Sequence, residues 1–307
     1  MSGELCIGVD HGFAAMKSAH FAFPAGLTAY EHEPYTNRDV LEYAGRFYVV
    51  GSGRQPLQKD KTRTEDYYLL TLAAIAKELE YRHGERTCSV TLAAGLPLTS
   101  FGRDKKKFRE YLLRDGSPVS FRYEGRDYAV AIRDVELFPQ GYSALLTQSG
   151  LLDEPSVILA DIGGWTVDLM RLDGRIPNAA TCRSLELGMI RCLDETAEQT
   201  RRALGVTLTT AQIESVLRGD ASNLPKEVKS IIHAQADRYV QNLLAAITES
   251  GLDVGAMPTV FLGGGAALLK RHVPPAGALF QPVILDDICL NAKGYERLAA
   301  QMEAHGG

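Results

Sequence analysis

The 307-residue sequence predicts an α/β protein of two similar domains. Three observations predict it. Short apolar runs alternate with amphipathic stretches long enough for helices, the pattern of strands layered against helices. The length exceeds one minimal core and fits two domains of ordinary size or one large α/β unit. A strand–turn–strand pattern near the start also recurs about half a chain later.

In chain order, Leu5–Val9 and Met16–Phe23 read as strands joined by a tight glycine-containing turn, and Phe47–Val50 as a short strand ended by Gly51-Ser52-Gly53. Polar Gln55–Thr64 reads as a loop and Asp66–Tyr81 as a helix with Tyr67, Leu70, Ala74 and Ala76 among its apolar positions. Ser89–Ala94 returns to strand and stops at Gly95-Leu96-Pro97; Asp104–Leu113 is helical. Val119–Tyr123 and Tyr128–Ile132 read as a hairpin across Glu124–Asp127, and Gln140–Gln148 as a short helix after Pro139.

A second half opens near Asp153-Glu154-Pro155. Val157–Ala160 and Val167–Leu172 are strands around another glycine turn, followed by a helix over about Gly188–Leu204. Thr209 with Gln212 three residues on has capping-box spacing and opens a helix over Ala211–Leu217. A long helix of about Pro225–Ser250 follows, then a strand, Pro258–Leu262, that runs into Gly263-Gly264-Gly265. Asn291 stands where it could cap a last helix through about Gln301.

Composition narrows the function classes. An apolar fraction of 45% with 23% charged residues belongs to a globular chain rather than a disordered or fibrous one. A net charge of −5 argues against general binding to nucleic-acid backbone, which needs a concentrated Lys/Arg surface. The one dense basic run, Arg103–Lys107, sits in an amphipathic pattern and reads as a solvated helix face. Cys6, Cys88, Cys182, Cys192 and Cys289 show no metal-ligand spacing, and their odd number suits a reducing compartment. The start, MSGELCIGVD, enters a strand with no basic or apolar leader region, and no stretch approaches the ~18 apolar residues of a membrane span. The expectation is a cytoplasmic protein with no membrane partner.

The internal echo carries the chemistry. Ile7-Gly8-Val9-Asp10-His11-Gly12 recurs as Leu159-Ala160-Asp161-Ile162-Gly163-Gly164, so that Asp10 matches Asp161, Gly12 matches Gly163, and Lys17 falls where Asp168 falls. Glycine in such a turn lets backbone N–H groups approach phosphate oxygens, and consecutive N–H groups form an anion nest. An aspartate at the strand end then faces a phosphate-bound Mg²⁺ through water, because that ion keeps much of its hydration shell. Two such hairpins would clamp a polyphosphate from opposite sides, with Lys17 adding positive charge. A single D-x-G is more often a plain hairpin turn; the repetition in matched strand contexts is what points to phosphate.

Ile7–Ala19 resembles the first phosphate segment of the actin, Hsp70 and sugar-kinase superfamily, and Leu159–Leu172 (LADIGGWTVDLMRL) resembles the second. Val260–Ala267 (VFLGGGAA) is similar to the adenosine segment, although three glycines alone are equally a flexible loop. Phe138–Ala144 (FPQGYSA) and Leu290–Leu298 (LNAKGYERL) look like the two connecting segments, and the five segments, in this order, span nearly the whole chain. The short length, Gly95-Leu96-Pro97 before a basic helix, the Gly51–Glu65 loop and the N-A-x-G at Asn291–Gly294 look like the bacterial ParM and Alp filament proteins of plasmid segregation. Hsp70 is longer and carries a peptide-binding domain; sugar kinases show sugar-binding segments, and none is found here.

The resemblance implies a two-domain actin-like fold, a duplicated RNase H-like unit with nucleotide in the interdomain cleft. Domain I would be residues 1–152, with a helix of about 288–307 packing back on it, and domain II residues 153–287. It implies an ATPase that forms filaments with ATP and Mg²⁺ and hydrolyses slowly, through ATP and ADP, with GTP an open alternative. Nucleotide would meet Asp10, Gly12, Phe13, Ala14, Lys17, Gly163, Gly164, Trp165, Thr166, Gly263, Gly264 and Gly265. Gln140 would orient the attacking water, Asp168 would lie near that water, and Asp10 and Asp161 would reach the metal through water. Taken alone, Gln140 is equally a helix-start polar residue and Asp168 an ordinary turn carboxylate. Phe13 departs from the pattern: the family has small or hydroxylated residues there, and a phenyl ring gives phosphate no hydrogen bond. Partners would be other copies of the chain and a DNA-binding adaptor at a centromere-like DNA site, without direct nucleic-acid contact. A non-polymerising small-molecule kinase or phosphatase of the superfamily is the alternative. A membrane-associated actin homologue would need an amphipathic terminal helix, for which Tyr295–Ala304 is short and mixed.

Overall fold

The first strand, β1 (Leu5–His11), is buried along most of its length because helices cover both of its faces. A computed structural model describes residues 5–53, 60–148, 150, 154–220, 222–274 and 279–305. The chain divides into two compact units, Met1–Thr147 with Cys289–Gly307, and Gln148–Ile288.

In the first unit β1 is followed by β2 (Ala15–Ser18), β3 (Ala22–Pro24), β4 (Leu27–Tyr30), β5 (Val40–Tyr43), β6 (Arg46–Val50), helix α1 (Asp66–Tyr81), β7 (Thr87–Leu96), α2 (Leu98–Leu113), β8 (Val119–Tyr123), β9 (Arg126–Pro139) and α3 (Tyr142–Leu146). The strands form one nine-stranded sheet in the order β3-β2-β1-β7-β9-β8-β5-β6-β4. Ile7 and Val9 join α1 and α2 in the main core, including Leu70, Leu72, Ile75 and Phe108. Residues of alternate parity turn to the other face, where a Cβ on Gly8 would lie 2.1 Å from the Ala292 carbonyl. That carbonyl belongs to the last helix, α8 (Leu290–His305), which lies directly on β1.

The second unit runs β10 (Ser156–Ile162), β11 (Val167–Asp173), β12 (Ile176–Pro177), β13 (Arg183–Leu185), α4 (Met189–Leu204), α5 (Thr210–Arg218), α6 (Lys226–Glu249), β14 (Thr259–Leu262), α7 (Gly263–Leu269) and β15 (Pro282–Ile284). Its sheet has the order β12-β11-β10-β14-β15, with β13 also paired to β11. That order repeats β3-β2-β1-β7-β9: two antiparallel steps, then two parallel ones. The echo in sequence is therefore an echo in topology. Ile158, Ala160 and Ile162 face α4, α5 and α6 in a second core with Ile213, Ile232 and Leu243.

Several sequence expectations need correction. Met16–Phe23 is two strands, reversed at a turn closed by Ser18 N–H donating to the Phe21 carbonyl (2.8 Å); a continuous apolar run hid the reversal. Helix α2 starts at Leu98 rather than Asp104, because Phe101 packs on the core although Thr99, Ser100 and Gly102 are weak helix formers. The β8–β9 reversal takes only Glu124-Gly125, and β9 continues to Pro139, paired parallel to β7 from Ala129 onward with one register shift at Val90/Thr91. Gln140 precedes α3 instead of starting it. Asn291 lies inside α8, one residue past its start, and its Oδ1 accepts the Gly141 N–H at 2.8 Å. Gly263–Gly265 is the first turn of α7, not a loop. Strands β4, β5, β12, β13 and β15 were not legible, since runs of two to four residues carry no period. Half of the Gln55–Thr64 loop, and Asp153 at the expected domain boundary, lie outside the described residues.

Candidate functional site

The two glycine turns are built alike. β1 pairs with β2 so that Asp10 stands opposite Lys17, and β10 pairs with β11 so that Asp161 stands opposite Asp168. Each turn needs its glycine: a Cβ on Gly12 would lie 2.5 Å from the Ala15 carbonyl, and one on Gly163 would lie 3.0 Å from that of Thr166.

In the first unit Asp10 is 2% exposed, and its carboxylate is held at both oxygens. Lys17 Nζ donates to Oδ2 at 2.9 Å, and Gln140 Nε2 donates to Oδ1 at 2.7 Å. Burial pushes the Asp10 carboxyl upward, but Lys17, Lys61 and Gln140 together outweigh it and hold the group below its ordinary value. A carboxylate only accepts, so the Gln140 amide must present its NH₂ to Asp10, which turns its carbonyl elsewhere. Its backbone is fixed too, through an N–H donated to the Leu96 carbonyl at 2.9 Å. Beside it Gly141 takes φ +72°, a conformation that favours glycine, and donates to Asn291.

His11 faces the opposite way, into the core. Thr71 spends its single O–H on the Tyr67 carbonyl (2.6 Å), so its oxygen must accept from His11 Nε2–H at 2.8 Å. Burial, with Lys61 nearby, lowers the imidazole pKa to about 3, and His11 is a neutral core residue.

In the second unit the turn is fastened by a helix start. Gly188, Met189 and Ile190 at the beginning of α4 donate their N–H groups to the carbonyls of Trp165 (2.8 Å), Gly163 (2.9 Å) and Gly164 (2.8 Å). A trans peptide sets its C=O and the next N–H on opposite sides, so the N–H groups of Gly164, Trp165 and Thr166 face away from α4. Three successive N–H groups on one side form a nest for an anion. Gly188 is required for this approach, since a Cβ there would lie 2.2 Å from the Trp165 carbonyl carbon.

Asp161 and Asp168 put two carboxyl groups opposite each other across the strands, whereas Asp10 and Lys17 form an ion pair at 2.9 Å. The Thr166 hydroxyl lies 3.5 Å from Asp168 Oδ2. Among the described residues no group of three or more His, Cys, Asp or Glu side chains could hold a metal directly. Two facing carboxylates would suit a cation that brings its own waters and phosphate ligands, as Mg²⁺ does.

The glycine run belongs to this same turn. Gly263 takes φ +90°, and a Cβ on it would lie 2.4 Å from Asp161 Oδ1. A Cβ on Gly265 would lie 2.3 Å from the Ile162 side chain, while one on Gly264 would meet nothing within 4 Å. Gly263 and Gly265 thus dock α7 on the end of β10, and Gly264 is the glycine facing open space.

Asp10, Lys17 and Gln140 meet one another in the first unit, with Gly12, Phe13 and Ala14 at the turn beside them. Asp161, Asp168, Gly163–Thr166 and Gly263–Gly265 gather at one end of β10 in the second. Sequence reasoning missed Gly188 and Lys61. A glycine as the first residue of a predicted helix was a usable signal for the first; no local pattern marked the second. No helix among the described residues is long and apolar enough to cross a membrane.

Residues 8–142 match the family model of the N-terminal domain of actin-like proteins, and residues 159–274 match that of the C-terminal domain of the archaeal actin homologue, MreB-like. No curated protein matches the chain. Solved structures similar to it include the archaeal actin homologue Ta0583, at 19% identity and a TM-score of 0.74 over 97% of this chain and 99% of that one. A ParM from Clostridium botulinum, solved as a 15-stranded filament, is 19% identical with a TM-score of 0.73 over 97% and 99%. A ParM from Bacillus thuringiensis, solved with ATP, is 14% identical with a TM-score of 0.69 over 100% of each chain.

Proposed function

The chain belongs to the actin-like superfamily, and from that premise we propose that it is a slow ATPase that polymerises with ATP and Mg²⁺ and serves DNA segregation, through an adaptor protein at a centromere-like site. The observation that carries the nucleotide reading is the duplicated turn, with Asp10 opposite Lys17 in one unit and Asp161 opposite Asp168 in the other. Filament structures among the similar proteins support the assembly reading.

Phosphoryl transfer to water is mostly a matter of positioning and charge. The N–H groups of Gly164, Trp165 and Thr166 would bind phosphate oxygens, and Lys17 would add positive charge at the first turn. Asp161, and Asp10 in the first turn, would reach Mg²⁺ through its waters, Asp168 would lie near the attacking water, and that ion would supply charge neutralisation at the phosphates. Gln140, with its NH₂ committed to Asp10, would accept a hydrogen bond from the attacking water through its carbonyl and so aim the oxygen lone pair. A neutral amide is a poor base, which makes turnover slow and suits a nucleotide that times assembly. Gly264 would pass close to the adenosine.

The test is sedimentation with ATP and Mg²⁺, alongside phosphate release. Protein that pellets with ATP and returns to the supernatant as phosphate appears supports the proposal. Phosphate release with no pelleting at any concentration would favour a kinase or phosphatase of the same superfamily.

A further inference from the structure

The carbonyl side of the second turn is held by the N-terminus of α4, a backbone array with partial positive charge. Among the described residues no helix start donates to the carbonyls at the tip of the first turn. Its carbonyls meet side chains instead: Lys61 Nζ donates to the His11 carbonyl, and the Tyr67 hydroxyl lies 3.5 Å from the Gly12 carbonyl. The Lys61 ammonium also sits 5.0 Å from the Phe13 ring centroid and 5.7 Å from that of Tyr67. Rings at that range hold a cation by their quadrupole.

Phe13 is the residue that departs from the expected phosphate-turn pattern, and the lysine gives its ring a purpose. The segment that carries Lys61 is tied to α2 on both flanks. Lys107 pairs with Asp60 at 2.5 Å, Tyr111 donates its hydroxyl to the Thr64 carbonyl at 2.9 Å, and Arg114 reaches Glu65 at 3.0 Å. The basic helix therefore has a task beyond solvation: one of its lysines anchors the neighbour of Lys61.

Resting on the ATPase reading, we infer that Lys61 is a positioning residue of the first phosphate turn, held by Phe13 and Tyr67, and that it supplies the positive charge which the start of α4 supplies in the second unit. By fixing the His11 carbonyl it sets the peptide plane at the tip of the turn, where the Gly12 N–H, on the other side of that plane, donates to the Asp10 carbonyl at 3.1 Å. Its charge acts on whatever anion the turn receives, over a distance at which a partly buried pair is weakly screened. The ligand class is a nucleoside polyphosphate, and the effect grows with the number of phosphates.

The experiment measures dissociation constants of wild type and the variants Lys61→Met, Lys61→Arg and Phe13→Leu for ATP, ADP and adenosine by calorimetry, each with a thermal midpoint. Loss of one charge-assisted contact weakens ATP binding roughly ten-fold or more in Lys61→Met. ADP affinity falls less, adenosine affinity holds, and Lys61→Arg recovers most of the loss because arginine keeps both charge and cation–π contact. Phe13→Leu gives a smaller loss that disappears when combined with Lys61→Met, as expected of residues acting through one contact. Equal ATP affinity in wild type and Lys61→Met overturns the inference and leaves the ATPase reading standing. An equal fall for all three ligands, with a lowered thermal midpoint, also overturns it, in favour of a purely structural lysine. If the wild-type chain binds none of them, the ATPase reading fails and this inference fails with it.

Discussion

Two adjacent glycines should respond in opposite directions to the same substitution. In Gly263→Ala the new methyl must sit at φ +90°, 2.4 Å from Asp161 Oδ1 and 2.7 Å from the Ile162 carbonyl. A side chain in that backbone region costs about 1–3 kcal/mol, and forcing a methyl into packed backbone costs about 1–2 kcal/mol more. Ile162 is a strand residue and cannot retreat, so a total of about 2–5 kcal/mol is expected. In Gly264→Ala the methyl meets nothing within 4 Å and the residue lies in the first turn of a helix. Alanine there should stabilise by about 0.5–1 kcal/mol, through the smaller entropy it loses. For a unit of this size each kcal/mol moves the midpoint by about 3–4 °C. Gly263→Ala should therefore melt about 6–20 °C lower and Gly264→Ala about 2–4 °C higher. The assay is thermal unfolding followed by the fluorescence of Trp165, the single tryptophan, which lies in the second unit. Two variants that melt together, or Gly263→Ala within about 2 °C of wild type, would refute the placement of α7 on the end of β10. Gly264→Val then separates stability from binding: no protein atom opposes its Cβ, so a lost affinity for a fluorescent ATP analogue belongs to the nucleotide.

Three further outcomes follow from the first unit. Gln140→Ala removes the water-orienting amide and leaves both turns; ATP should still bind, hydrolysis should slow about 10²-fold, and light scattering should show filaments that form but fail to decay. Lys17→Met takes the nearest cation from buried Asp10. The Asp10 carboxyl lies below its unfolded value, so its contribution to stability is complete above that value and disappears as pH falls through the folded one. Without Lys17, burial raises the carboxyl, and the acid-side fall of the thermal midpoint should begin at higher pH than in wild type; superimposed profiles would exclude the pairing. Glu78, fully buried, accepts from His20 N (2.9 Å), His20 Nδ1 (2.8 Å) and Arg82 Nε (2.7 Å). Glu78→Ala should cost about 3 kcal/mol in chemical denaturation, with Glu78→Gln costing less, because partners left unpaired in the interior are expensive.

The sequence by itself determined the two-unit α/β plan and the paired turns, because both are written in local patterns. Strand period, glycine at a reversal and aspartate at a strand end act over a few residues, and a duplication repeats them visibly. Helix α1 and the Thr209–Gln212 capping box were legible for the same reason, their hydrogen bonds closing within a turn. What joins distant segments was not. The Gln140–Asp10 contact spans 130 residues, the Asn291–Gly141 contact 150, and Lys61 reaches His11 across 50. Nothing in the residues near Lys61 distinguishes it from the exposed lysines of α2, and Asn291 reads equally well as a helix cap. The short strands β12, β13 and β15 likewise exist because a neighbour offers a ladder. Such partners are chosen by burial and by the need to satisfy buried polar groups, and both conditions come into being only when the chain has folded.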